Sequence, residues 1–346
     1  MKLRDFAFLF IFFLNLLMIV PAAHAQLPPG IYSNCDFCLC SMGISPLTMN
    51  GSSIRFDSRY TELGSEFSNG ASAPNPTNAR ETYLTDVLSL RGQITDQLSA
   101  TLMVPFAHKA ESSNDPANSL ANISNSGVGD MSLLFRYNLI ADHEDGGFAR
   151  SILGQADMRM LAVTAGIKFA NGSTALTYNG DRGRSTPADP DVQLGTGTTD
   201  FYAGLGYLLG FNGWNIEADA LGMVHGFGSG ASGHTYGDNL NYDVMAEYRL
   251  YEDQSFLPTM LSPTVFASLA IRGEWRGYET QDGVPLDNDL LGWSGGNVVY
   301  VAPGLQMFFA PRVSLDASVW VPVIHALYGN QLGETVKAMA GIQAGI

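Results

Sequence analysis

The sequence predicts an all-β protein, a closed antiparallel transmembrane barrel of about twelve strands, on three observations. The first is sustained period-two alternation, clearest over 198–224, TTDFYAGLGYLLGFNGWNIEADALGMV. Phe201, Ala203, Leu205, Tyr207, Leu209 and Phe211 share one side there, opposite Tyr202, Gly204, Gly206, Leu208 and Gly210. The second is composition: 46% hydrophobic and 15% charged residues over 346 positions, yet a mean hydropathy of only +0.05. A polytopic helical protein would need several apolar runs of about 20 residues. The third is the alternation of long and short connections, which matches the extracellular loops and periplasmic turns of outer-membrane barrels.

Taken in chain order, the first element is a leader. Lys2 and Arg4 precede an apolar run from Phe6 to Val20, and Ala23 and Ala25 occupy the small-residue positions of a cleavage site. Residues 1–25 are therefore expected to be a signal peptide, and the mature chain to begin at Gln26. Losing Lys2, Arg4 and Asp5 takes the formal charge from −15 to −16, which disfavours nucleic acid as a partner.

Residues 26–52 form an N-terminal periplasmic segment or plug. It contains all three cysteines, Cys35, Cys38 and Cys40, with Met42 close by. In an oxidising compartment these thiols form a disulfide with one left over for a partner, or they bind a soft metal such as copper(I) or zinc. Haem attachment is excluded because the C-x-x-C-H motif needs histidine directly after Cys38, and residue 39 is Leu. No other cofactor is expected.

The barrel is expected over 53–346, with strands near 53–62, 82–92, 97–108, 129–140, 157–169, 199–211, 213–225, 238–250, 264–276, 298–309, 312–323 and 334–346. An even count suits a closed barrel with both termini on one side. Long connections are expected at 63–81, 109–128, 170–198, 226–237, 277–297 and 324–333, and short ones at Thr95-Asp96, Asn212-Gly213 and Ala310-Pro311; 141–156 and 251–263 are middling. Loop chemistry is plain in NGSTALTYNGDRGRSTPADPDVQLGTGT, which is rich in Gly, Asp and Pro.

A charge facing lipid at the bilayer centre costs roughly 2–4 kcal/mol, so the charged side of each strand is assigned to the lumen. That names Arg55, Asp57, Arg59, Arg136, Lys168, Glu217, Asp219, Glu247, Arg249, Arg272, Glu274 and Arg276 as lumen-facing candidates, acting on solute or as salt-bridged filling. The glycines opposite Phe201–Phe211 then make room for bulky neighbours or a plug. Phe201, Phe211, Trp214, Trp275, Phe308 and Phe309 are expected in interfacial girdles. The strand at 82–92 is the awkward one: Asp86 shares a side with Leu84, Leu88 and Leu90, which asks for a bulge or an early end to the membrane band.

Catalysis finds little support. His108, His143, His225, His234 and His325 are scattered, and neither a G-x-S-x-G elbow nor a phosphate loop is present. The chain is read as a non-enzyme. Asp189 with Asp191, and Asp287 with Asp289, are calcium candidates or plain turn formers.

Four segments carry a family resemblance: Gly127-Val-Gly-Asp130, Ala165-Gly-Ile-Lys-Phe-Ala-Asn-Gly172, Pro190-Asp-Val-Gln-Leu-Gly-Thr-Gly-Thr-Thr-Asp-Phe201 and Tyr236-Gly-Asp-Asn-Leu240. Over roughly 125–346 the chain resembles the outer-membrane channel family named for the meta-pathway of phenol degradation. Ala170-Asn171 stands where that family has a proline-threonine pair. The resemblance implies a porin-like transporter of the bacterial outer membrane for small solutes, hydrophobic or aromatic ones among them. Its partners would be outer-membrane lipid, the solute and the barrel assembly machinery, which reads the final strand; this chain ends in Ile346 rather than an aromatic residue. The alternative is a structural or docking barrel whose cysteine segment engages a periplasmic redox partner or a metal.

Overall fold

The computed structural model describes residues 52–114, 122–143, 158–179, 185–230, 233–252, 264–288, 292–310 and 313–346. The leader and Cys35, Cys38 and Cys40 lie outside the described residues, as do Asp289 and, beyond His143 and Glu252, the two middling connections.

Twelve long strands make the wall: β1 (Ser53–Ser68), β2 (Arg80–Gln93), β3 (Leu98–Ser112), β4 (Ser132–His143), β5 (Met158–Lys168), β6 (Thr198–Phe211), β7 (Trp214–Gly228), β8 (Asn239–Glu252), β9 (Thr264–Arg276), β10 (Gly296–Ala310), β11 (Val313–Leu327) and β12 (Asn330–Gly345). Each pairs antiparallel with its sequence neighbours, and β1 pairs with β12 from Ser53↔Gly345 to Ser68↔Asn330. The sheet therefore closes on itself and leaves no long edge, as a spanning sheet in hydrocarbon must.

Alternation sorts the two walls. Leu205 is 52% exposed and Leu269 57%, while Tyr202 and Leu208 on β6 are buried among interior side chains. An apolar outer wall and a polar enclosed face place this barrel in an outer membrane.

Tight turns follow the local chemistry. Asn69-Gly70, Asn212-Gly213 and Asp282-Gly283 all hold positive φ at both residues, the conformation of the two-residue hairpin turn whose twist matches that of its strands.

Four expectations are corrected. The 63–81 connection is largely strand, because β1 continues to Ser68 and Ala71–Ala73 folds back on it. The 324–333 loop is only the turn Tyr328-Gly329 between β11 and β12. In both places the apolar alternation stops at the membrane edge, but polar residues such as Glu66, Ser68 and Gln331 continue the hydrogen-bonded ladder. Phe308 is buried inside, edge-on to Phe266 at 6.1 Å, rather than in a girdle. β2 pairs with β1 and β3 without a register shift, so no bulge turns Asp86 inward.

Candidate functional site

The enclosed face of the barrel carries both apolar and ionic clusters. Strands β2, β3, β4, β6 and β7 contribute a belt of Val87, Met103, Leu134, Tyr202, Leu221 and Met223, all buried and packed with Tyr236 from the β7–β8 connection. The opposite wall supplies Met245, Ala270, Tyr300, Ala302 and Trp320 in a second apolar cluster. Glycines let this belt close up: a Cβ on Gly204 would lie 2.5 Å from Leu221, and one on Gly166 would be still nearer to Leu134.

Charged side chains stand among these apolar residues: Asp57 is the cross-strand partner of Val87, Arg272 of Tyr300 and Lys337 of Trp320. On the periplasmic side, Arg55 donates to Asp57 at 2.8 Å and meets Asp316 at 2.9 Å. Gly341 leaves room for this pair, since a Cβ there would sit 2.5 Å from Asp57 Oδ1. Arg272 lies over the Trp320 ring at 4.5 Å. It shares with Asp219, Asp243 and Glu274 the lining of a small cavity of about 20 Å³, room for about one water. On the extracellular side Lys337 pairs with Glu274 at 2.6 Å, and Arg276 spans Glu274 at 2.9 Å and Glu334 at 3.0 Å.

Across the barrel, Lys168 sits between Asp200, Asp130 and the Thr196 hydroxyl, fully buried. Asp130 is the clamp of this cluster. Its Oδ1 accepts from the Gly172 N–H at 2.7 Å, and its Oδ2 accepts from the Thr196 N–H and hydroxyl, both at 2.8 Å. One carboxylate thus ties both ends of the β5–β6 connection to the wall. Gly172 and Gly195 are glycines because the two ends touch: a Cβ on Gly172 would meet the Gly195 Cα at 2.7 Å.

Held this way, the connection turns into the barrel instead of outward. Asp191, Val192 and Gln193 are buried. Lys109 Nζ donates to the Asp191 carbonyl at 2.7 Å, the Tyr236 hydroxyl to the Pro190 carbonyl at 2.7 Å, and Asn125 to the Val192 carbonyl at 2.9 Å. Glu81 and Glu111 on the wall, and Glu279 paired with His234 at 3.0 Å, surround this turn with carboxylates. Burial pushes the Asp189 carboxyl up to about 6 against the pull of the Asp191 N–H and His234. Burial, with Asp189, Glu81 and Glu279 nearby, holds Asp191 well above the usual carboxylate range.

Of the residues picked from the sequence, Arg55, Asp57, Arg59, Arg136, Lys168, Glu217, Glu247 and Glu274 are buried in the interior. Asp219, Arg272 and Arg276 are half-buried there, and Arg249 sits near the periplasmic rim with its side chain beside Gly213. They do not form one site: Arg55 and Asp57 meet at Asp316, Lys168 meets Asp130 and Asp200, and Glu274 and Arg276 meet Lys337 and Glu334. Sequence reasoning missed Asp130, Lys109, Glu334 and Lys337. Parity alone could have offered Lys109 and Lys337, which alternate with outward residues, and Asp130, which shares a side with Ser132 and Arg136 in the strand expected over 129–140; in the structure that strand starts at Ser132 and Asp130 precedes it. Among the described residues no group of three or more His, Cys, Asp or Glu side chains is arranged to hold a metal ion.

No protein-family model matches the chain, and no curated protein matches it. Among solved structures, an outer-membrane channel from Pseudomonas putida F1 is similar at 15% identity and a TM-score of 0.57, covering 94% of this chain and 99% of that one. The transport unit of the autotransporter AIDA-I from Escherichia coli aligns at 9% identity over 90% of this chain and 94% of its own, with a TM-score of 0.46. The β domain of the Bordetella autotransporter BrkA aligns at 11% identity over 86% of this chain and 100% of its own, with a TM-score of 0.44. The first of these shares the barrel fold.

Proposed function

We propose that this protein is an outer-membrane channel for small apolar solutes, aromatic ones included. The observation that carries the reading is the apolar belt of Val87, Met103, Leu134, Tyr202, Leu221 and Met223, buried on one side of the lumen. An uncharged ring passing such a surface would exchange water for side-chain contact. Methionine suits the role because its unbranched thioether adapts to differently shaped partners and contacts aromatic edges favourably. The ionic clusters serve mainly to brace the wall, their members being paired with each other rather than open to solute. Passage requires the in-turned segment around Pro190–Val192 to withdraw, and its few hydrogen bonds to Lys109, Tyr236 and Asn125 are of a kind that breaks and re-forms.

Proteoliposomes test this reading. Purified protein should speed the entry of a small aromatic such as phenol by about tenfold or more over protein-free vesicles while leaving sucrose entry near background. Leu221→Arg, which places a charge in the belt, should abolish the difference for the aromatic. Equal acceleration of sucrose and phenol would overturn the solute class.

A further inference from the structure

Asp86 is a carboxylate of the outer wall that no lumen reading uses. Asp86 stands on β2 beside Leu84, which is 41% exposed, and directly opposite Phe106 on β3, which is 48% exposed. Leu88 and Phe56 lie one step towards the periplasm on the same wall. On its other side the cross-strand partner of Asp86 is Ser58 of β1. Among the described residues neither the Asp86 nor the Ser58 side chain makes a hydrogen bond or an ion pair. The same row continues through Ala340 on β12 and Ala317 on β11, so small side chains form a shallow step next to the polar pair. A lipid-facing carboxylate is destabilising to a degree that depends on depth. The gap in the apolar surface offers lipid little to pack against.

The pair is self-complementary. Copies inserted the same way up are related by an axis along the membrane normal, and a two-fold interface matches residue i to j and j to i. Ser58 and Asp86 are direct cross-strand neighbours, with Cβ atoms about 5 Å apart in such pairs. An axis passing between them sets each hydroxyl donor against the carboxylate of the other copy and keeps the two carboxylates apart. We propose that the β12–β1–β2 seam is a self-association surface, through which two copies of this chain pair in the membrane with Ser58 of each donating to Asp86 of the other. The step at Ala317 and Ala340 lets the two walls approach closely enough for those hydrogen bonds. The inference rests on membrane placement of the barrel and is independent of the solute.

Mixed cross-linking in native membranes tests it. Two differently tagged chains, both carrying Cys35→Ser, Cys38→Ser and Cys40→Ser, are co-expressed, one with Ser58→Cys and the other with Asp86→Cys, and the membranes are oxidised. A disulfide joining the two tags is expected, with none when Leu205→Cys on the far wall replaces either cysteine. In nanodiscs the cysteine-containing wild-type chain should sediment as a dimer under reducing conditions, and Asp86→Ala should raise its dissociation constant about tenfold. Heat-modifiable migration on gels verifies that each variant is folded. Folded protein that stays monomeric and yields no mixed disulfide would overturn the proposal, as would cross-links solely to other proteins or equal cross-linking through Leu205→Cys.

Discussion

Two buried lysines illustrate how alike chemistry does different work on opposite walls. Lys168 is fully buried with Asp130 and Asp200, and the carboxylate it helps to balance reaches across to Gly172 and Thr196 in the β5–β6 connection. Lys337 is buried with Glu274 and Glu334, but every partner of that cluster stands on a wall strand, and β11 and β12 above it end in a two-residue turn. The first cluster joins strand to loop and the second joins strand to strand. Hence the first controls whether the lumen is filled, and the second controls how firmly the wall holds.

The largest effect expected from breaking this contrast belongs to Asp130→Ala. It removes three hydrogen bonds to the loop and leaves Lys168 with less compensation; loss of one partner from a buried ionic cluster costs about 3–5 kcal/mol. Because the loop is the weaker side, it should come free: residues 173–187 become susceptible to protease in folded barrels while heat-modifiable migration persists. A loop that stays resistant would mean that the clamp lies elsewhere.

A smaller and different effect is expected from Lys337→Met, which keeps the length and removes the charge. Arg276 still bridges Glu274 and Glu334, so the loss should be about 1.5–3 kcal/mol, the range for a hydrogen bond to a charged group. It should appear as a lower urea midpoint for unfolding in detergent, with loop proteolysis unchanged. Simultaneous loosening of the loop would erase the distinction between the walls.

The smallest effect is pH-linked. The Asp189 carboxyl is raised to about 6 and Asp191 is raised as well, so both favour the folded-in loop when protonated. The contribution of Asp189 is full below its unfolded pKa and is lost as pH rises through about 6, and that of Asp191 is lost in the same direction. Loop proteolysis should therefore be several-fold slower at pH 5 than at pH 8, with the dependence flattened in the Asp189→Asn, Asp191→Asn double variant. Faster cleavage at pH 5 would reverse the sign of the account.

Much of the wall was legible in the sequence for a simple reason: lipid demands large apolar side chains at every second position, and the enclosed face does not. Strand positions such as 199–211 and 264–276 follow directly. Where the wall rises above lipid the demand lapses, which is why Ser65–Ser68 and Asn330–Gln331 read as loop. The same parity separates Arg272 from Ile271, yet the pairing of Arg55 with Asp316 could not be read, because only closure of β1 on β12 brings them together. The β5–β6 connection was least legible. Its Gly, Asp and Pro residues announce turns, but that it folds inward depends on Asp130 reaching both Gly172 and Thr196, a relation no local pattern carries.

The central claim is that the in-turned segment, and not the ring of lumen charges, closes the barrel. Conductance in planar bilayers measures this most directly, comparing the wild-type protein with a variant in which residues 188–194 are replaced by a short Gly-Ser linker. The account predicts small, infrequent openings for the wild type and steps at least about tenfold larger for the variant, since removing the segment takes Asp191, Val192 and Gln193 out of the lumen. Equal conductance of the two folded proteins, whether both open or both silent, would contradict it.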